Sequence, residues 1–140
     1  RRNVHEVERA VVIGRGGRNI AEAAARPHIA GYAIGLDMTV RGTEDRSFRK
    51  SIDTYSVAGP WIVTADEIPD PGHLNFSLSV NGEVRQASNS ELMILGIPRQ
   101  IAWASEWYTL YPGDIIMTGT CEGVSRILPG DVVYVFERHF

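Results

Sequence analysis

Two glutamates, Glu6 and Glu8, stand one residue apart in a valine-rich run, and Asp37 is the only acid between Pro27 and Val40. Strand geometry repeats every two residues, so Glu6 and Glu8 share a face if the run is extended. Ala10 and Val12 continue that face as apolar. Carboxylates crowded beside a core repel one another and lose hydration, unless a cation sits between them. Oxygen donors suit hard ions such as Mg2+, Mn2+ or Ca2+ better than zinc. Each part also has a plain reading. Glu6 and Glu8 fit the solvent face of an edge strand, and Asp37 fits a turn-forming aspartate.

Other reactive residues point to less. Cys121 has no histidine near it in sequence to activate a thiolate. His5, His28, His73 and His139 lack the spacing of a metal-binding pair. Gly14-Arg15-Gly16 begins like a dinucleotide-binding loop, but Asn19 occupies the place of the third glycine. The 14 basic and 17 acidic residues leave a net charge of −3, with basic residues scattered apart from Arg41, Arg46, Arg49 and Lys50. That distribution argues against nucleic acid and membrane surfaces as partners. A single cysteine excludes an internal disulfide. A reducing, cytoplasmic setting is therefore the expected one.

These residues need elements to hold them. Val4 to Ile13 reads as one strand, stopped by Gly14-Arg15-Gly16-Gly17. Asn19 is placed to cap a short helix over Ile20 to Ala25. Ile29 to Thr39 reads as a helix end or loop leading into a strand, and Val40 to Ser56 as a long polar loop. Pro60 to Thr64 is a short strand. Leu74, Phe76, Leu78 and Val80 alternate with polar residues, and Asn81-Gly82 turns the chain back through Glu83-Val84-Arg85. Ile97, Ile101, Ala104 and Tyr108 recur at helical spacing, with Pro98 in the first turn. Pro112-Gly113-Asp114 and Pro129-Gly130-Asp131 each introduce an apolar strand. The pattern is a β-rich α+β domain of 140 residues with few helices.

Several of these stretches, taken in order, resemble the fumarylacetoacetate hydrolase family. Glu6-x-Glu8 with Ala10-Val11-Val12-Ile13-Gly14 resembles the start of that family's catalytic domain. His28-Ile29-Ala30-Gly31-Tyr32 and Asp37-Met38-Thr39-Val40-Arg41 resemble its AGY…ND-x-T-x-R segment. Lys50-Ser51-x-Asp53-Thr54, Gly59-Pro60-Trp61, Val80-Asn81-Gly82-Glu83 and Pro112 to Thr120 follow in order. Two positions depart: Leu36 stands where an asparagine is usual, and Cys121 where a proline is usual. Glu44 to Ser51 looks most like members that isomerise or decarboxylate dicarboxylic 2-hydroxy-dienoates and 2-oxo-enoates in aromatic degradation.

The resemblance implies a mixed β-roll or sandwich, a Mg2+ or Mn2+ ion, a small 2-oxo acid substrate and a homodimer. It implies Glu6, Glu8 and Asp37 as metal ligands, Lys50 as a catalytic residue near metal and substrate, and Arg41, Lys50 and Thr120 as substrate contacts. Alone, Lys50 reads as a solvated loop lysine and Thr120 as part of a strand-end turn. Family members also carry an N-terminal lid segment with a catalytic His and Glu. The expectation is one metal-binding catalytic core over residues 1–140, without that lid, with an open cleft above the acids walled by Lys50 and Thr120. The competing expectation is an inactive member that binds metal and a small acid or serves as a dimerisation domain.

Overall fold

Valine and isoleucine, stiff at the β-carbon, favour the extended chain. The computed structural model describes residues 2–138, so His139 lies outside the described residues. In chain order the strands are β1 (Arg2–Val4), β2 (Val7–Ile13), β3 (Ile29–Asp37), β4 (Thr39–Arg41), β5 (Ser56–Thr64), β6 (Asn75–Val80), β7 (Glu83–Asn89), β8 (Ile115–Met117), β9 (Arg126–Ile127) and β10 (Val133–Arg138). Two α-helices interrupt them, α1 (Arg46–Lys50) between β4 and β5, and α2 (Ile97–Trp107) between β7 and β8. The strands form three antiparallel sheets ordered β4-β1-β9, β10-β6-β7 and β5-β3-β2-β8. The β-rich α+β expectation holds.

The run expected as one strand breaks at His5-Glu6. β1 belongs to one sheet and β2 to another. The break is held by His5, which is fully buried. Its Nδ1–H donates to Gln86 Oε1 at 2.8 Å, and its Nε2 accepts from the Ser125 hydroxyl at 2.8 Å. Beyond the break β2 is a central strand buried along its whole length, not an edge strand.

The stretch expected as a helix end or loop leading into a strand is strand from Ile29 onward, the nine-residue β3, paired with β2 on one side and β5 on the other. Its small residues serve close approach. A Cβ on Gly31 would lie 2.3 Å from the Val63 carbonyl oxygen. Asn19 does not cap the expected helix: a single 3-10 turn spans Glu22–Ala24, with Ala21 before it and no side-chain cap. The N–H groups of Asn19 and Ile20 instead reach Ser105 on α2. The long polar loop contains β4 and α1, the helix started by Asp45, whose carboxylate accepts from the N–H of Ser47 at 2.8 Å.

The Asn81-Gly82 hairpin forms as read, with both residues at positive φ (52° and 85°) and Val80 opposite Glu83. The helix also forms. Its buried residues are Ile97, Ile101, Ala102 and Ser105, while Tyr108 lies just past its end in extended conformation and is exposed. The larger core packs Val11, Ile13, Tyr32, Ile101 and Leu110 together. A smaller one joins Val7 to Leu78 and Val80. Thus β2 feeds both cores.

Arg9, in the middle of β2, is 2% exposed. Its Nε donates to Glu137 Oε1 at 2.9 Å, its Nη2 also pairs with that oxygen, and its Nη1 donates to the Pro71 carbonyl at 2.7 Å. This ion pair fastens β10 to the central sheet. Removing one partner of a buried pair strands the other charge. Arg9→Ala is expected to lower unfolding free energy by about 3–5 kcal/mol, measured by urea titration. A loss below 1 kcal/mol would show that Glu137 reaches water once Arg9 is gone.

Candidate metal centre

The three acids converge through strand register. Glu6 occupies the break before β2, Glu8 is the second residue of β2, and Asp37 is the last residue of β3. Val7 pairs with Leu36 and Glu8 with Gly35, and the Asp37 N–H donates to the Glu6 carbonyl at 3.0 Å. Residues directly opposite share a face, so Asp37 joins the face of Glu6 and Glu8. One carboxylate oxygen from each lies within 4.8 Å of the other two. Two oxygens bound to one ion at about 2.0–2.6 Å can be at most about 5 Å apart. The donor set and its spread therefore fit a single hard cation.

Positive charge closes in from one side. Lys50 ends α1 and its Nζ donates to Glu6 Oε2 at 2.8 Å and to Asp37 Oδ2. Arg41 ends β4 and its Nη2 donates to Glu6 Oε1 at 2.9 Å. Partial burial pulls the Lys50 ammonium down, but the hydrogen bonds to Asp37 and Glu6 outweigh it and leave its pKa raised. On the other side the Gly119 N–H donates to Glu8 Oε2 at 2.7 Å. Glu6 and Glu8 are both buried. Burial raises Glu8 to about 7; the Gly119 N–H opposes this, the charge of Asp37 adds to it, Lys50 opposes and Glu6 adds. Near neutral pH the cluster is short of positive charge at Glu8, the deficit a divalent cation would fill.

Thr120 sits beside this contact with its hydroxyl turned inward. Oγ1–H donates to the Val7 carbonyl at 2.8 Å and the oxygen accepts from Gln86 Nε2 at 2.9 Å. Gln86 is itself buried; its oxygen also accepts from the Val7 N–H, and its amide also donates to the Cys121 carbonyl. Sequence reading missed Gly119, Gln86 and the role of His5. Their partners lie 34 to 111 residues away along the chain, so no local pattern marks them. The largest cavity, about 790 Å³, has Gly119, Thr120 and Cys121 on its rim with α2 opposite. None of Glu6, Glu8, Asp37 and Lys50 lines it. Gly119 and Thr120 line that cavity while the Gly119 N–H reaches Glu8, so this turn stands between the cavity and the acids. A smaller cavity of about 310 Å³ is lined by Arg41. Cys121 is no activated thiol, since burial pushes it up.

A β-rich α+β core thus gathers three carboxylates near the ends of β2 and β3, with Lys50 from α1 and Arg41 from β4 beside them, a donor set that fits a metal-binding domain. Residues 1–137 match the model of the fumarylacetoacetate hydrolase C-terminal family, and the chain belongs to that family. It is 56% identical over 133 residues to a maleylpyruvate hydrolase of Aquipseudomonas alcaligenes, covering 95% of this chain and 46% of that protein. It is 40% identical to a 4-hydroxyphenylacetate degradation bifunctional isomerase/decarboxylase of Salmonella dublin, covering 92% and 31%. The maleylpyruvate hydrolase of Sphingobium sp. SYK-6, solved with manganese(II) and pyruvate, superposes with a TM-score of 0.95 at 45% identity, over 99% of this chain and 52% of that one. The chain thus spans about half the length of such relatives, or less.

A cation bound by Glu8 must displace its proton. Below pH 7 the affinity of the chain for Mn2+ is expected to fall roughly tenfold per pH unit, measured by calorimetry between pH 5.5 and 8. The metal-free chain shows the opposite linkage at this residue. With the folded pKa raised from 4.5 to about 7, its contribution to stability is full below 4.5 and lost as pH rises through 7. Mn2+ affinity flat across that range would exclude Glu8 as a ligand.

Proposed function

We propose that this chain is the metal-binding catalytic core of an enzyme acting on a small 2-oxo or 2-hydroxy-dienoic diacid, with Mg2+ or Mn2+ on Glu6, Glu8 and Asp37. The observation that supports it best is the convergence of these acids with Lys50 at one end of β2 and β3. Glu6, Glu8 and Asp37 would hold the cation, which would supply Lewis-acid chemistry to the carboxylate and keto oxygens of a 2-oxo acid. Lys50 balances Glu6 and Asp37 in the free chain and stands where its ammonium can donate to a developing oxyanion. Arg41, at the exposed rim, is placed to pair with a substrate carboxylate. With the Thr120 hydroxyl committed to Val7, holding a carboxylate there falls to the backbone of the turn. The identity to a maleylpyruvate hydrolase favours C–C bond hydrolysis over isomerisation or decarboxylation.

A second reading, metal and acid binding without turnover, is favoured by the histidines. His5 is held by Gln86 and Ser125, His28 by the Arg15 carbonyl and His73 by Asp70. None is turned toward the acids.

A panel of 2,4-dioxo and 2-hydroxy-dienoic diacids with Mn2+ is expected to show turnover that a chelator abolishes. Lys50→Ala should cut kcat/KM by about 100-fold or more. Mn2+ should raise the melting temperature, because a ligand of the native state stabilises it, and Glu8→Ala should remove that rise. Pyruvate binding with no turnover anywhere on the panel would favour the second reading.

A homodimer is part of the proposal. Trp61, Ile94, Trp103 and Trp107 are each more than half exposed, and exposed apolar groups of that size mark interaction surfaces. Light scattering should give twice the chain mass of 15.5 kDa. A mass of one chain at micromolar concentration would refute the dimer.

A further inference from the structure

The small sheet β4-β1-β9 carries a basic face of which the reading above uses Arg41 alone. Arg2 lies directly opposite Arg41, and Val4 lies directly opposite both Thr39 and Arg126. Opposed residues share a face, and so do residues two apart on one strand. Arg2, Arg41 and Arg126 therefore project from the same side. All three line the cavity of about 310 Å³, with Val4, Val124 and Ser125 completing its wall and no acid among them. Arg41 donates to Glu6 on one side of this wall. Among the described residues, Arg2 and Arg126 have no ion-pair partner.

Three guanidinium groups around one cavity repel, and none can shed its charge near neutral pH. An anion relieves that repulsion, and the planar fork of arginine matches a carboxylate in particular. The cavity does not stand alone. Its Arg41 touches a proposed metal ligand, so the two places are one side chain apart. A molecule with a chelating 2-oxo acid at one end and a carboxylate a few carbons away can occupy both.

We propose that this cavity is the subsite for the second carboxylate of a 2-oxo diacid, recognised by Arg126 and Arg2, with Arg41 as the wall shared with the metal centre. The inference rests on the metal-centre reading above and gives it a source of selectivity. A 2-oxo monoacid uses the centre alone, whereas a diacid uses both places. The gain comes from exposed charge pairs, so it weakens with salt.

The test is calorimetric binding of pyruvate, 2-oxoglutarate and 2-oxoadipate to the Mn2+-loaded chain at low ionic strength. At least one diacid should bind about tenfold more tightly than pyruvate, as expected for an added charge-assisted pair. Arg126→Gln and Arg2→Gln should each shrink that advantage about threefold or more without moving the pyruvate Kd. Arg99→Gln, an exposed arginine on α2, should leave the ratio unchanged and so control for net charge. Both test side chains are exposed, and an unchanged melting temperature will confirm that each variant folds. If pyruvate binds but both variants keep the diacid advantage, the subsite is wrong and the metal centre stands. If pyruvate fails to bind with Mn2+ present, the metal-centre reading fails and takes the subsite with it. Inorganic phosphate that binds without Mn2+ and is lost in Arg126→Gln, while the diacid advantage persists, would make the cavity a free-anion site and overturn the proposal.

Discussion

A slip of one residue in the pairing of β2 with β3 would carry Asp37 to the opposite face of the sheet and scatter the three carboxylates. The site depends on this register more than on any single side chain. The register is held along β2, because Val11 and Ile13 belong to the larger core and Val7, further along the strand, to the smaller one. Gly31 adds a further lock, since only a residue without Cβ lets β3 approach the Val63 carbonyl. Strength of packing along β2 thus becomes precision at its end.

The same register creates an electrostatic problem. Glu6 and Glu8 are buried side by side with Asp37 across from them. The fold answers in two ways. Lys50 and Arg41 come from α1 and β4, elements that lie within a stretch of polar sequence, and balance Glu6 and Asp37. Glu8 accepts a hydrogen bond from the Gly119 N–H and feels the more distant charge of Lys50, yet burial keeps it protonatable near neutral pH. The site is thus nearly neutral without metal and short of one positive group at Glu8.

Behind the acids, the buried His5 and Gln86 join the half-buried Ser125 and Thr120 in a polar network. The Gln86 side chain accepts from His5 and from the Val7 N–H, and donates to Thr120 and the Cys121 carbonyl. A buried amide with its bonding capacity filled in this way is a stiff connector. It ties the turn that contacts Glu8 to the break that frees Glu6 from the sheet. The position where Cys121 replaces the family's usual proline is bound into this network through its carbonyl, so the turn is held without proline's fixed φ.

Short-range chemistry was legible in the sequence. Asn81-Gly82 needs positive φ at both residues, so it made its hairpin, and the helical spacing from Ile97 made α2. The two-residue period put Glu6 and Glu8 on one side, and the resemblance singled out Asp37, Lys50 and Arg41 for the same place. Tertiary structure decided the rest. That β3 is extended from Ile29 onward was not legible, because its glycines answer to neighbouring strands and not to its own propensity. The break at His5 and the inward turn of the Thr120 hydroxyl depend on Gln86, and the alignment of Arg2 with Arg126 depends on β1 lying between β4 and β9. Sequence determines what a residue can bond to and how its near neighbours repeat. Which distant residue arrives to accept the bond is set only when the sheets have closed.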